Sequence, residues 1–352
     1  MIPPYTVVLI IPTGIGASIG GYAGDALPLA RSIASVCDRF ISHPNVLNAA
    51  NFYWNIPNSL YVEGFALDKF ASLCWGLRPV RQNKIGVIFD QGIENDLLLR
   101  HLQVIDAARA SLGLHISDYI ITDTPLDVKL CLGESGASWG TITHIDSLFR
   151  AAEILINQRK IEAIAVVTRF PEDLDETMIE KYRQGNGVDP VAGAEAMISH
   201  LIVRKFQIPC AHAPAFSPLP LNPHISPKSA AEELGYTFLP CVLVGLDKAP
   251  QFITTKERFC QDIWADQVNA LVIPASACGG SATLNLSNLG VKIIAVEENT
   301  TKMQVEPETV GIKAIRVKSY IEALGMLVLD RAGINPQSLT ANVPYIHNNN
   351  DR

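Results

Sequence analysis

Along most of the chain, short runs of residues are apolar almost without a break, and helical patterns separate many of them. The runs are Thr6–Ile11, Lys84–Phe89, Tyr119–Thr122, Glu162–Thr168, Pro240–Val244, Asn269–Ile273, Lys292–Val296 and Ala314–Val317. A strand with one wet face alternates apolar and polar side chains, whereas a strand covered on both faces does not. These runs therefore predict parallel strands buried beneath helices. Between them, Asn95–Leu112 places Leu98, Leu102, Ile105 and Ala108 on one stripe, with Gly113 as its stop. Ser147–Arg159 and Pro190–Lys205 read as further helices. Pro227–Leu234 has Ser226 as cap and Gly235 past its end, and Tyr320–Arg331 opens with Ser319 and Glu322 as a capping box. The expected fold is α/β: mostly parallel, doubly wound and Rossmann-like. Two subdomains are expected, over residues 1–145 and 146–335, followed by a frayed tail over 336–352. Pro209–Pro227, rich in Pro and His, reads as a long loop.

Charge narrows the partners. The net charge is −7, only 18% of residues are charged, and no basic run occurs. Nucleic acid is not expected, because phosphate contacts need clustered Lys and Arg. Nor is membrane insertion, since the apolar start from Tyr5 to Ile11 is broken by Pro12, Gly14 and Gly16. Seven scattered Cys without a C-x-x-C pair point to free thiols in a reducing, cytoplasmic compartment. No metal is expected; Cys210 and His212 alone are a weak ligand signal.

In parallel sheets, ligands bind beyond the carboxyl ends of the strands. After the first strand runs Pro12-Thr13-Gly14-Ile15-Gly16-Ala17-Ser18-Ile19-Gly20-Gly21-Tyr22-Ala23-Gly24-Asp25. Glycines admit an anion to backbone amides, so Thr13, Gly14, Gly16 and Gly20 are candidates for ligand binding. The loop lacks a P-loop Lys, and Ile19 stands where a dinucleotide fingerprint needs its third glycine. No cofactor can be named. Asp25 is either a helix cap or a catalytic carboxylate. His43, before Pro44 and Asn45, is a candidate general base or a turn histidine. Asn45 is a candidate ligand contact. In Ser135–Thr141, Trp139 is either a stacking plate or core. Arg169, straight after a strand, is a candidate anion clamp or an ion-pair residue. In Pro274–Leu286, Cys278 precedes Gly279, Gly280 and Ser281 at an expected helix start. That setting favours a thiolate and frees amides for an anion. After the next run, Glu298 is a candidate acid or base and Asn299 a candidate ligand contact.

Several of these segments also carry a resemblance. They are Pro12–Gly16, Gly21–Asp25, Ser42–Asn48, Ser135–Gly140, Leu239–Gly245, Ala277–Ser281 and Val296–Asn299. From about Tyr5 to Leu339 the chain resembles a domain-of-unknown-function family found mainly in cyanobacteria and related photosynthetic lineages. The resemblance implies a role in photosynthetic cells, including accessory work in assembling photosystem II, and brings no catalytic residues. The residues themselves point to a soluble enzyme of a small anionic metabolite, either carboxylate or phosphate. It would be a cofactor-independent isomerase, lyase or hydrolase. The alternative is a non-catalytic assembly factor, with a shallow pocket and a broad apolar patch. A homo-oligomer is compatible with either reading.

Overall fold

The computed structural model describes residues 2–48, 55–172, 176–218, 220–234, 238–255, 257–343 and 345. Gly235 and residues 346–352 of the expected tail lie outside the described residues. The chain opens with β1 (Thr6–Leu9), α1 (Leu27–Ser35), β2 (Arg39–Ser42), α2 (Pro44–Leu47), β3 (Ser59–Tyr61), α3 (Gly64–Ala71) and β4 (Gly76–Arg78). Its middle carries β5 (Ile85–Phe89), α4 (Asn95–Leu112), β6 (Ile116–Ile121), β7 (Val128–Leu132), β8 (Ser138–Ile142), α5 (Ile145–Arg159), β9 (Ala163–Arg169), α6 (Glu176–Arg183), α7 (Ala192–Phe206) and β10 (Cys210–Ala215). It closes with α8 (Pro227–Leu234), α9 (Leu239–Asp247), β11 (Gln251–Ile253), β12 (Ala270–Pro274), α10 (Ser281–Asn288), β13 (Lys292–Val296), β14 (Ala314–Val317) and α11 (Tyr320–Ala332).

Two parallel sheets carry the fold. The first runs β14-β13-β12-β1-β2-β3 and the second β10-β9-β5-β6, parallel throughout. Helices flank both, a Rossmann-like arrangement. Two antiparallel pairs, β4 with β11 and β7 with β8, complete it. The first sheet draws strands from both ends of the chain, and the second from its middle. The expected boundary at 145/146 thus falls in the first turn of α5, within the segment that builds the second sheet.

The continuous apolar runs have the expected cause in the inner strands but not in the edge strands β6 and β14, where Tyr119, Ile121 and Ile315 are exposed. In β1, Val7 and Leu9 enter one core cluster while Val8 enters the other, so both faces are covered. β9 divides likewise, with Ala163, Ala165 and Val167 on one side and Ile164 and Val166 on the other.

Two expectations are corrected. Pro240–Val244 is helical, lying in α9. Its residues pack on β9 and β10 in the core shared with β1 and β5. A helix buried all round reads like a strand, and Pro240 suits a first helical turn better than a central strand. Pro209–Pro227 is not loop throughout, because residues 210–215 form β10. As an edge strand it tolerates Pro214.

Candidate functional site

Chain connectivity reverses at β1/β12 in the first sheet and at β5/β9 in the second. Such switch points leave a crevice at the strands' carboxyl ends. A cavity of about 780 Å³ opens there, lined from both sheets. The first sheet contributes Thr13, His43, Asn45, Ile273 and Gly280; the second contributes His212, Pro214 and Phe216. Helices α3 and α7 supply further walls through Asp68, Glu195 and Ser199.

The loop after β1 is wired internally at Ile19 and Gly20. The Ile19 amide donates to Asn299 Oδ1 (3.0 Å), and the Gly20 amide to Asp25 Oδ1 (2.8 Å). Asn45 Nδ2 donates to the Gly20 carbonyl (2.8 Å). Asn299, 1% exposed, also donates to the Ile19 carbonyl and to the Tyr320 hydroxyl. It is therefore a clamp between loop and α11, not the ligand contact expected. Gly14 sits at φ +69°, and a Cβ there would meet Ser138 Oγ at 2.5 Å. Its glycine is required by a close approach to β8. Thr13 and Asn45 line the cavity; Asp25 and Gly16 are not among its lining residues. Burial pushes the Asp25 carboxyl up to about 6 against the hydrogen bond from Gly20.

The loop after β12 reaches the cavity through Ala277, Gly280 and Ser281. Cys278 does not. Its thiol is fully buried, lies 3.7 Å from the Pro274 carbonyl, and belongs to the core. Burial, then the charges of Glu306 and Glu308, raise its pKa to about 12. The expected thiolate is corrected accordingly. Gly279 packs against Val305. The start of α10 is occupied by a carboxylate of the chain itself, because Asp68 Oδ1 accepts from the Ala282 amide (2.9 Å).

Two further candidates are engaged by partners within the chain. Glu298 is exposed and accepts from the Tyr320 amide (2.7 Å), capping α11. Arg169 engages Glu94 (2.9 Å) and Glu172 (2.7 Å), tying together the loops after β5 and β9. Trp139, 49% exposed on β8, belongs neither to the core nor to the cavity lining.

His43 lines the cavity at 8% exposure, with Nε2 accepting the Ile11 amide (3.0 Å). Burial lowers its pKa to about 4.

A polar cluster on the cavity wall was not anticipated as a site. His212 on β10 lies with Nε2 3.1 Å from Glu195 Oε1, at ion-pair distance though not aligned as a hydrogen bond. Its Nδ1 meets Ser199 Oγ at 3.2 Å. Glu195 and Ser199 stand one turn apart on α7. Asp189 accepts from the Val191 amide (2.9 Å) ahead of the same helix. Burial, then the Glu195 charge, pushes Asp189 up to about 7. A second pair, Glu63 with His200 Nε2 (2.8 Å), stands on the same cavity. Burial opposes charge on His200, but the Glu63 contact raises its pKa. The available sequence signals were the i, i+4 spacing of Glu195 and Ser199 in an expected helix, and Asp189 just ahead of it. Among the described residues, no group of three or more His, Cys, Asp or Glu could hold a metal ion.

Fold and site define a two-sheet parallel α/β protein with a ligand-sized cavity at the meeting of its two switch points. The chain belongs to the family described as protein of unknown function (DUF3326), which it matches over residues 6–340. It is 52% identical, over 335 residues, to an uncharacterized lipoprotein of Synechococcus sp. (strain ATCC 27144 / PCC 6301 / SAUG 1402/1). The match covers 95% of this chain and 93% of that protein. No solved structure matches. Among the described residues, no helix is long and apolar enough to cross a membrane.

Proposed function

We propose that the chain is an enzyme performing acid–base chemistry on a small metabolite in the inter-sheet cavity. One observation carries this: His212 lies between Glu195, at ion-pair distance, and Ser199, at hydrogen-bond distance, on the wall of a cavity of about 780 Å³. Beside it, Asp189 has a midpoint near working pH, as proton transfer requires. Such a site needs no cofactor for proton transfer.

The cavity wall carries Glu63, Asp68, Glu172, Asp189 and Glu195 against Arg183 as its one Arg or Lys among the described residues. That balance supports a neutral or singly charged ligand, which keeps the expected carboxylate and weighs against the expected phosphate. The assembly-factor alternative calls for a shallow pocket, so the cavity's size supports the enzyme reading. Free thiols throughout support a cytoplasmic setting. The lipoprotein name of the Synechococcus relative points to a membrane-attached one, and cell fractionation with and without detergent separates them.

The functional test is thermal stabilisation by a panel of small metabolites sorted by charge. A ligand at 100 times its Kd adds about 2.7 kcal/mol to stability. At least one compound should raise Tm, and His212→Ala should abolish the shift. A panel with no active compound refutes the proposal.

A further inference from the structure

A strand-end histidine invites the role of base, but the wiring of His43 fits the opposite one. Its Nε2 accepts the Ile11 amide proton at 3.0 Å. A neutral imidazole carries one N–H, so the proton resides on Nδ1. The side chain is more than nine-tenths buried and lines the cavity. Among the described residues Nδ1 has no hydrogen-bond partner, and it is not among the sealed, unpartnered atoms of the interior. The ring therefore offers the cavity a donor, and the nitrogen able to take a proton faces the backbone.

Protonating the ring would set Nε2–H against the Ile11 N–H, two donors head to head. Burial is the sole cause of the lowered pKa, and both effects keep the ring neutral.

We propose that His43 Nδ1–H is a fixed neutral donor to a carbonyl oxygen of the ligand, making the substrate a small carbonyl compound with an acidic C–H beside that carbonyl. This rests on the cavity being the active site. The step balances without an oxidant or reductant. The C–H bond breaks, and its proton passes to a carboxylate or imidazole on the α7 side. The electron pair forms a C=C bond, and the oxygen gains negative charge held by Nδ1–H. Return of the proton to a different carbon, or to the other face of the same one, completes an isomerisation. A neutral imidazole is suited to this work, since it stabilises the developing oxyanion without surrendering a full proton beforehand.

The test is NMR of the wild-type protein with 15N-labelled histidine rings, the His43 signals assigned with His43→Gln. The expected spectrum shows the Nδ1–H tautomer with no titration between about pH 5 and 8. An Nε2–H tautomer, or a midpoint near the ordinary 6.5, overturns the inference. Pyruvate, dihydroxyacetone and the enolate mimic acetohydroxamate are then added. At least one should bind and move the His43 Nδ1 resonance. His43→Phe should weaken that binding about tenfold, whereas His43→Gln, which can accept from Ile11 and still donate, should restore most of it. If these probes bind without moving the resonance, or fail while other metabolites stabilise the protein, the carbonyl assignment falls and the cavity reading stands. If nothing in either set binds, both fall.

Discussion

Replacing Asp189 by Asn should remove a specific part of the protein's pH dependence. The unfolded chain ionises this carboxyl at 3.8, whereas in the fold burial and Glu195 place the midpoint at about 7. Between those values the folded state holds more protons than the unfolded state. Stability contributed by this group is therefore fully present at low pH and falls as pH rises. At 1.36 kcal/mol per pH unit, the full rise corresponds to about 4 kcal/mol. Water in an open cavity screens part of that, so a loss of about 2–4 kcal/mol is expected between pH 4 and 8. The side-chain amide introduced by Asp189→Asn keeps an oxygen to accept from the Val191 amide and carries no charge. Urea unfolding of both proteins at each pH unit from 4 to 8, at fixed ionic strength, isolates the effect as the gap between two curves. Asp189→Asn should gain about 2–4 kcal/mol on the wild type over that span. Glu195→Gln, which removes the like charge, should flatten the wild-type slope in part. Parallel curves for wild type and Asp189→Asn would refute the reasoning.

Other sites give sharper structural tests. A thiol reagent should label the exposed Cys74 and Cys260 quickly and leave Cys278 untouched until unfolding; rapid native labelling of Cys278, located by mass spectrometry, contradicts its burial. Asn299→Ala breaks hydrogen bonds to the Ile19 amide, the Ile19 carbonyl and the Tyr320 hydroxyl, and should cost about 2–4 kcal/mol in chemical denaturation. Gly14→Ala meets both a positive φ and the Ser138 hydroxyl, so a loss of about 1–3 kcal/mol is expected. Adding Ser138→Ala should recover the steric part of that loss and leave the backbone part.

The architecture was legible where burial on both faces wrote itself into composition. β1, β5, β9, β12 and β13 coincide with unbroken apolar runs, and the loops after β1, β2 and β12 do meet at one cavity. α9 was misread because a helix buried on every side carries no 3.6-residue stripe, and length alone cannot separate it from a strand. β10 was hidden by its Pro and His, yet those residues place His212 on the cavity. The roles of individual side chains were not legible, because they depend on partners far away in sequence. Glu298 looked like a free carboxylate until Tyr320 claimed it. Cys278 had the local setting of a nucleophile, but its thiol turns into the core rather than toward the helix start.

The same distant wiring divides labour around the cavity. Opposite shifts in one enclosure put two groups in different protonation states at the same pH. His43 is driven down to about 4 and Asp189 up to about 7. For His43 the sign is the reverse of that for Asp189: its stabilising neutral form is complete above 6.5 and is lost as pH falls toward 4. Near neutrality the two conditions overlap, with His43 uncharged and Asp189 divided between acid and base. Neither state follows from residue type. A solvated imidazole would titrate just below neutrality, and a solvated Asp would be ionised throughout. In the proposed reading, burial beside the crevice between the sheets is what would keep His43 a neutral hydrogen-bond donor and let Asp189 carry a proton.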